Sequence, residues 1–207
     1  MYRTTDVTNY LKENPKEVVK SFTDAVELSN TLNRHIYLGD IDDAIGDSVD
    51  DLIRFWNRQD DEAEIPVENR EPIKIFINSG GGDLFATFTM VNSIRMSKTP
   101  VWTINTGCAY SGGFLTFISG HKRFAYPYSS FLLHEGSCNG MSGDAGKFRN
   151  FAAFYEKALQ ILRQIVVTYT DITEREYDVH KLEDWWFTAE EAEKFKIFDE
   201  YVTEHIS

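Results

Sequence analysis

Short apolar, β-branched runs alternate along this chain with longer stretches in which apolar residues recur every three or four positions. This alternation is typical of βα units around a largely parallel sheet, so the sequence predicts an α/β fold. Most runs are apolar throughout and bounded by Gly, Pro, Asp or Ser, which indicates strands covered on both faces. The predicted strands are residues 35–39, 73–78, 101–106, 123–126 and 131–134.

The helical stretches have clear apolar stripes. The first lies between the first two strands and is formed by Val49, Leu52, Ile53 and Trp56. Residues 58–71 are charged and lack periodicity, so we expect a solvated loop without chemistry there. From 147 to 169 the apolar period predicts one long helix. A flexible stretch is expected before that helix, at Gly136, Gly140, Gly143 and Gly146.

Two capping boxes follow the long helix. Thr173 with Glu176, and Thr188 with Glu191, each pair a hydroxyl N-cap with a carboxylate three residues on. The sequence therefore predicts two short helices that flank Asp184.

The composition limits the classes of partner. With 42% hydrophobic residues in 207, the chain can form one compact domain. Its 33 acidic and 21 basic residues give a net charge of -12, which repels nucleic acids and anionic lipid surfaces. Cys108 and Cys138 are too few for a disulfide framework and lack zinc-site spacing, so we expect a reducing, cytoplasmic setting and neither metal nor cofactor. The N-terminus lacks a signal-peptide core, and no apolar run approaches the length of a membrane span.

Ser111 follows the strand predicted at 101–106, after a glycine turn, and precedes two glycines and an apolar helix at 114–118. Backbone N–H groups at a helix start can stabilise the oxyanion that forms when a serine attacks a carbonyl. Serine is also a common helix N-cap, so this pattern fits either a nucleophile or a cap.

A second glycine turn, residues 79–83, follows the strand at 73–78 and leads into another helix. Its amides could supply an oxyanion donor or cradle a phosphate. The turn lacks both the Gly-Lys-Ser/Thr ending of a P-loop and the GxGxxG spacing of a dinucleotide site, which disfavours phosphate.

The remaining residues include a candidate general base and a candidate acid that could orient it. Of five histidines, His134 alone ends an apolar strand, at the edge where α/β sheets gather their ligands. Asp184 precedes Trp185, Trp186 and Phe187, and we expect these aromatic rings to shield it from water. A shielded carboxylate can orient an imidazole. The alternative is that Asp184 caps a turn and the tryptophans are core residues.

Four ordered segments resemble the proteolytic subunit of the Clp protease family: INSGGG from Ile77, GCAYSGGFL from Gly107, KRFAYPYSSFLLHEG from Lys122, and DWWFTAEEAEKFKIFDEY from Asp184. The resemblance implies a Clp/crotonase-type spiral of βα units, with residues 147–169 as a projecting handle helix. It covers a domain at 33–207, after a divergent N-terminal segment at 1–32.

The resemblance also implies a site and an assembly. The site is a serine endopeptidase triad of Ser111, His134 and Asp184, with oxyanion amides at Gly82 and Gly112. Such peptidases form heptameric rings, stacked around a chamber, and receive unfolded polypeptide from an ATP-driven unfoldase.

The sequence departs from the family pattern near the site. Gly80 stands in place of proline, Gly112 in place of methionine, and Glu135-Gly136 in place of Gln-Pro. At the ring-joining Glu-Arg the chain has Leu182 and Glu183, and residues 1–32 lack the family's axial-pore segment.

Three alternatives stay open. One is a phage-encoded member of the same fold that processes capsid precursors, and another is a non-catalytic ring subunit. The third is an α/β-hydrolase esterase, because residues 109–113 nearly spell a nucleophile elbow. That fold places its acid before its histidine, whereas His134 precedes Asp184 here.

Overall fold

The computed structural model describes residues 4–137, 144–204 and 206. Gly140 and Gly143, which belong to the predicted flexible stretch, lie outside the described residues, and so does Cys138. Within this part of the chain, no helix is long and apolar enough to cross a membrane.

The described residues form one seven-stranded sheet with helices around it. The strands are β1 (His35–Leu38), β2 (Ile73–Ser79), β3 (Val101–Tyr110), β4 (Lys122–Ala125), β5 (Ser130–Leu133), β6 (Trp185–Thr188) and β7 (Glu200–Tyr201). The helices are α1 (Thr4–Glu13), α2 (Pro15–Val18), α3 (Phe22–Leu32), α4 (Asp43–Glu62), α5 (Leu84–Met96), α6 (Gly112–Ile118), α7 (Ala145–Tyr169), α8 (Glu174–His180) and α9 (Ala189–Glu193), with a short 3-10 helix at Val67–Asn69.

The sheet is parallel in the order β1-β2-β3-β4-β7, which confirms the predicted α/β class. β3 is the longest strand and has two successive partners on one side. Its first half pairs with β4, and its second half pairs with β5, where Tyr110 lies opposite Leu132. Of the seven strands in the described residues, β6 alone is antiparallel, and it pairs with β5. The pairing of β5 with the second half of β3 therefore brings the carboxyl ends of these two strands together.

Helices and side chains cover both faces of the sheet. Along β2, Ile73, Ile75 and Ile77 are fully buried in the main core, while Phe76 points to a smaller cluster on the other face. Burying each such side chain contributes about 1.5–3 kcal/mol. The stripe predicted for α4 is confirmed, because Val49, Ile53 and Trp56 are buried in the main core.

The prediction of a solvated loop at 58–71 is wrong. α4 continues to Glu62, and Asp60 is 0% exposed. The Asp60 carboxylate accepts two bonds from the Arg34 guanidinium, at 2.6 and 2.8 Å, and one from Thr99 Oγ1 at 2.7 Å. These distant partners compensate the desolvation of the charge, and local sequence does not reveal them.

The predicted end of the third strand is also wrong, because β3 runs on from Thr106 to Tyr110. Gly107 does not turn the chain. A Cβ on Gly107 would lie 2.5 Å from Asn78 Oδ1, so this glycine permits close approach of β2. The extra residues carry β3 directly to Ser111.

Candidate active site

Ser111 lies between the end of β3 and the start of α6, in a strained backbone conformation. Its φ of 53° and ψ of -118° lie outside the ordinary regions for a residue with a side chain, a strain of about 1–3 kcal/mol. Its N–H donates to Leu132 O at 2.9 Å, which ties the turn to β5. The Ser111 side chain makes no capping bond to α6. The hydroxyl is therefore not used as a helix cap.

The glycine turn after β2 lies against the Ser111 turn. A Cβ on Gly81 would be 2.8 Å from Ser111 Cβ, and a Cβ on Gly82 would be 1.9 Å from Ile41 O. Both glycines have positive φ, +97° and +151°, which disfavours any other residue. Only glycine fits this contact.

Two backbone amides meet beside Ser111. A bridge joins Ile41 to the turn through the Gly81 carbonyl and the Asp83 amide, which leaves the Gly82 amide on the opposite side. A Cβ on Gly112 would lie 3.6 Å from Gly82 N. Neither the Gly82 nor the Gly112 N–H donates a hydrogen bond to another described residue. Free, adjacent donors are what an oxyanion site requires.

Carboxylates surround the same turn and disfavour the phosphate alternative. Asp40 Oδ1 accepts from Gly80 N at 3.3 Å, and Asp83 caps α5 by accepting from Phe85 N and Ala86 N. A phosphate dianion at this turn would face both negative charges.

His134 and Asp184 are in hydrogen-bond contact. His134 follows β5, and its Nδ1 lies 3.0 Å from Asp184 Oδ1. The imidazole is 28% exposed and the carboxylate 56% exposed. The expected aromatic shielding of Asp184 is therefore wrong for the single chain. β6 starts directly after Asp184 and sends Trp185 inward toward Phe187 and Phe195, and Trp186 outward beside Tyr110.

The other described histidines lie elsewhere. His121 Nδ1 accepts from Val101 N at 3.0 Å, and desolvation lowers the pKa of its imidazole. His35 opens β1, where burial also lowers its pKa. His180 pairs with Glu183 at 2.8 Å and stacks on Trp185. His205 lies outside the described residues.

Ser111, His134, Gly82 and Gly112 line one cleft of about 350 Å³, hereafter the Ser111 cleft. Ser111 and His134 share this cleft without a hydrogen bond between them. Such bonds are often long in a substrate-free site. The apolar walls of the cleft are formed by Leu84, Phe85, Leu115, Phe151, Tyr155 and Leu162. Apolar walls with a few convergent polar groups are typical of a substrate site.

A larger groove of about 590 Å³ lies between α4 and α5 and is lined by Asp50, Arg54, Arg58 and Lys98, among others. It contains none of the predicted site residues. Among the described residues, no group of three His, Cys, Asp or Glu side chains is placed to hold a metal ion.

Sequence reasoning missed two features of the Ser111 cleft. Phe151 and Tyr155 of α7 line the cleft and are half-buried, a contact that the sequence did not predict. Glu135 also lines it, and the buried Tyr177 hydroxyl donates to Glu135 Oε1 at 3.2 Å. The 3.6-residue period of α7 did not indicate that Phe151 and Tyr155 would line the cleft. The position of Glu135 next to His134, in contrast, could have indicated that Glu135 lies there.

An α/β sheet with a serine on a strained turn, in one cleft with a histidine, is the arrangement expected of a serine hydrolase. A family profile described as Clp protease matches residues 30–205. The chain therefore belongs to the Clp protease family and is a serine-type peptidase, which confirms the resemblance and the predicted fold.

The individual relatives are distant. The ATP-dependent Clp protease proteolytic subunit 1 of Chlamydia caviae is 31% identical over 134 residues, or 62% of this chain and 69% of the relative. The proteolytic subunit 2 of Treponema pallidum is 28% identical, covering 64% and 67%. Subunit 2 of Corynebacterium glutamicum is 27% identical over 173 residues and 82% of both chains.

Proposed function

We propose that this chain is an endopeptidase in which Ser111 is the nucleophile, His134 the general base and Asp184 the orienting acid. The observation that carries this assignment is the Ser111 cleft itself. A serine on a strained turn shares it with an imidazole whose other nitrogen is 3.0 Å from a carboxylate.

The geometry supports a defined tautomer of His134. Since Asp184 accepts the proton on Nδ1, Nε2 carries a lone pair. As Ser111 Oγ attacks the peptide carbonyl carbon, its proton moves to Nε2. The imidazolium is stabilised by Asp184 and then gives that proton to the leaving amine. Water attacks the acyl-enzyme by the same route and restores the serine.

The Gly82 and Gly112 amides are our candidates for the oxyanion hole. In the tetrahedral intermediate, the former carbonyl oxygen carries a full negative charge, and two preorganised N–H donors stabilise it more than they stabilise the ground state. Loss of one such donor costs about 10²–10³ in rate.

We further propose that the chain works as a heptameric ring, singly or in stacked pairs, in the cytoplasm. The exposed apolar side chains of α7 support association, since Phe148, Phe154 and Ile161 are each more than half exposed. The relatives named above are ATP-dependent proteolytic subunits, and an ATP-driven unfoldase that delivers unfolded polypeptide is the partner that this likeness suggests. The peptidase domain is proposed as 33–207, with 1–32 as a separate N-terminal segment.

A peptidase assay tests this function. Purified wild-type protein should cleave an unfolded protein substrate, and Ser111→Ala should abolish cleavage while the oligomer stays assembled, because only a hydroxyl is removed. Ser93→Ala, at the groove between α4 and α5, is the matched serine control and should retain cleavage. Undiminished cleavage by Ser111→Ala would refute the assignment.

A further inference from the structure

Glu135 is held in the wall of the Ser111 cleft by a buried tyrosine. Its Oε1 accepts from Tyr177 Oη at 3.2 Å, and the Tyr177 side chain is 2% exposed. Burial raises the pKa of Tyr177, so the phenol stays protonated and acts as the donor. This neutral hydrogen bond holds the carboxylate of Glu135 next to His134.

The charged side chains that line the cleft are mainly negative. Asp83 supplies a second carboxylate, which is exposed and caps α5 through Oδ1. Among the described lining residues there is no lysine or arginine. The described lining of the Ser111 cleft therefore offers two carboxylates and an imidazole to a bound peptide.

A peptide that fills this cleft displaces water from Glu135, which is already half-buried. A half-buried carboxylate that loses water is destabilised, and an approaching cation offsets that loss. A lysine or arginine side chain of the substrate can provide that cation. An acidic side chain at the same place is repelled by both carboxylates.

The neighbouring walls suit the stem of such a side chain. Phe151 and Tyr155 line the same cleft, and the aliphatic part of lysine or arginine packs well against aromatic rings while its charged end reaches a carboxylate. Apolar and charged contacts are thus available within one cleft.

We propose that Glu135, assisted by Asp83, is a specificity-determining residue that selects substrates with a lysine or arginine beside the scissile bond. This inference rests on the proposed function, because it takes the Ser111 cleft as the peptide site.

The test compares cleavage-site preference between variants. The substrates are two quenched fluorogenic peptides of one unstructured sequence that differ only by lysine or uncharged norleucine at one central position, and mass spectrometry of any products locates the cut relative to that position. We expect kcat/KM to favour the lysine peptide by about tenfold, the size of one charge-assisted hydrogen bond. In Glu135→Gln the ratio should fall most of the way to one, because the amide keeps the bond from Tyr177 without the charge and only Asp83 remains.

Two further variants sharpen the comparison. Asp83→Asn keeps the helix cap and should lower the ratio partially, since asparagine caps as well as aspartate. Glu190→Gln removes an exposed carboxylate on α9, outside the cleft, and should leave the ratio at its wild-type value. Equal kcat/KM for both peptides in the wild type, or an unchanged ratio in Glu135→Gln, would overturn the inference.

Binding to Ser111→Ala separates this inference from the proposed function. Fluorescence anisotropy should show the lysine peptide bound about tenfold more tightly than the norleucine peptide, with most of the difference lost in Ser111→Ala/Glu135→Gln. If the wild type cleaves neither peptide but this binding preference is present, the catalytic assignment fails and the charge selection stands. If the wild type cleaves both peptides and binding shows no preference, only the charge selection fails.

Discussion

The imidazole Nδ1 of His134 lies 3.0 Å from Oδ1 of Asp184, although the two residues are 50 positions apart. The antiparallel pairing of β5 with β6 produces this contact, because His134 follows the last residue of β5 and Asp184 precedes the first residue of β6. Leu133 and Trp185 are opposite each other in that ladder. The contact is therefore fixed by sheet register rather than by a mobile loop.

Asp184→Asn should fold normally and lower the rate of peptide hydrolysis by roughly 10⁴, since an amide no longer fixes the tautomer of His134. Steady-state kinetics on a fluorogenic peptide measures the change. The matched control is Glu183→Gln, the adjacent acid, which pairs with His180 and should keep wild-type kinetics. A loss below about tenfold for Asp184→Asn would mean that another group orients the imidazole.

Gly82→Ala should inactivate the enzyme, because its Cβ would meet Ile41 O at 1.9 Å and push the Gly82 amide from its place. The control is Gly39→Ala, where a Cβ meets nothing within 4 Å and φ is not positive. That change should leave activity intact and stabilise the fold by about 0.4–1 kcal/mol through the unfolded chain. Urea unfolding and the peptide assay together check both variants, and full activity in Gly82→Ala would contradict the role of this amide.

Stacking of rings, if α7 joins them, should resist salt. The resemblance places Glu183 at the position of a ring-joining arginine, so we expect the proposed stacking to depend mainly on apolar contact through α7. Apolar contact is not screened by ions, unlike exposed ion pairs. Sedimentation velocity in low salt and at about 1 M salt should show the same particle.

Phe154→Glu, at a side chain that is 52% exposed, should separate stacked rings. Gln160→Glu adds the same charge to the exposed surface of α7 without removing apolar area, and it should leave the particle unchanged. A wild-type protein that stays monomeric at micromolar concentration would refute assembly. A double ring that falls to single rings in salt would refute the apolar contact alone.

Local patterns predicted the class of the fold and most of its elements. The predictable features each depend on neighbours within a few residues. They are the strand cores of β1, β2 and β5, the apolar stripe of α4, the length of α7 and both capping boxes. The strand end that precedes His134 was readable for the same reason.

Features that depend on distant partners could not be predicted from the sequence. The strand β6 lies within an aromatic run without a strand pattern of its own, and it forms by pairing with β5. The burial of Asp60 depends on Arg34, and the continuation of β3 past Gly107 depends on Asn78. Aromatic neighbours suggested a shield for Asp184, but the alternation of side chains along β6 turns Trp185 and Trp186 to opposite faces.

Covalent labelling tests whether Ser111 is an activated nucleophile. The purified wild-type protein is incubated with a fluorophosphonate probe, which reacts with activated serine hydroxyls, and the modified residue is identified by mass spectrometry. We expect one adduct, on Ser111, that is absent in Ser111→Ala and strongly reduced in His134→Ala. Labelling of another serine, or no labelling of an assembled wild-type protein, would contradict it.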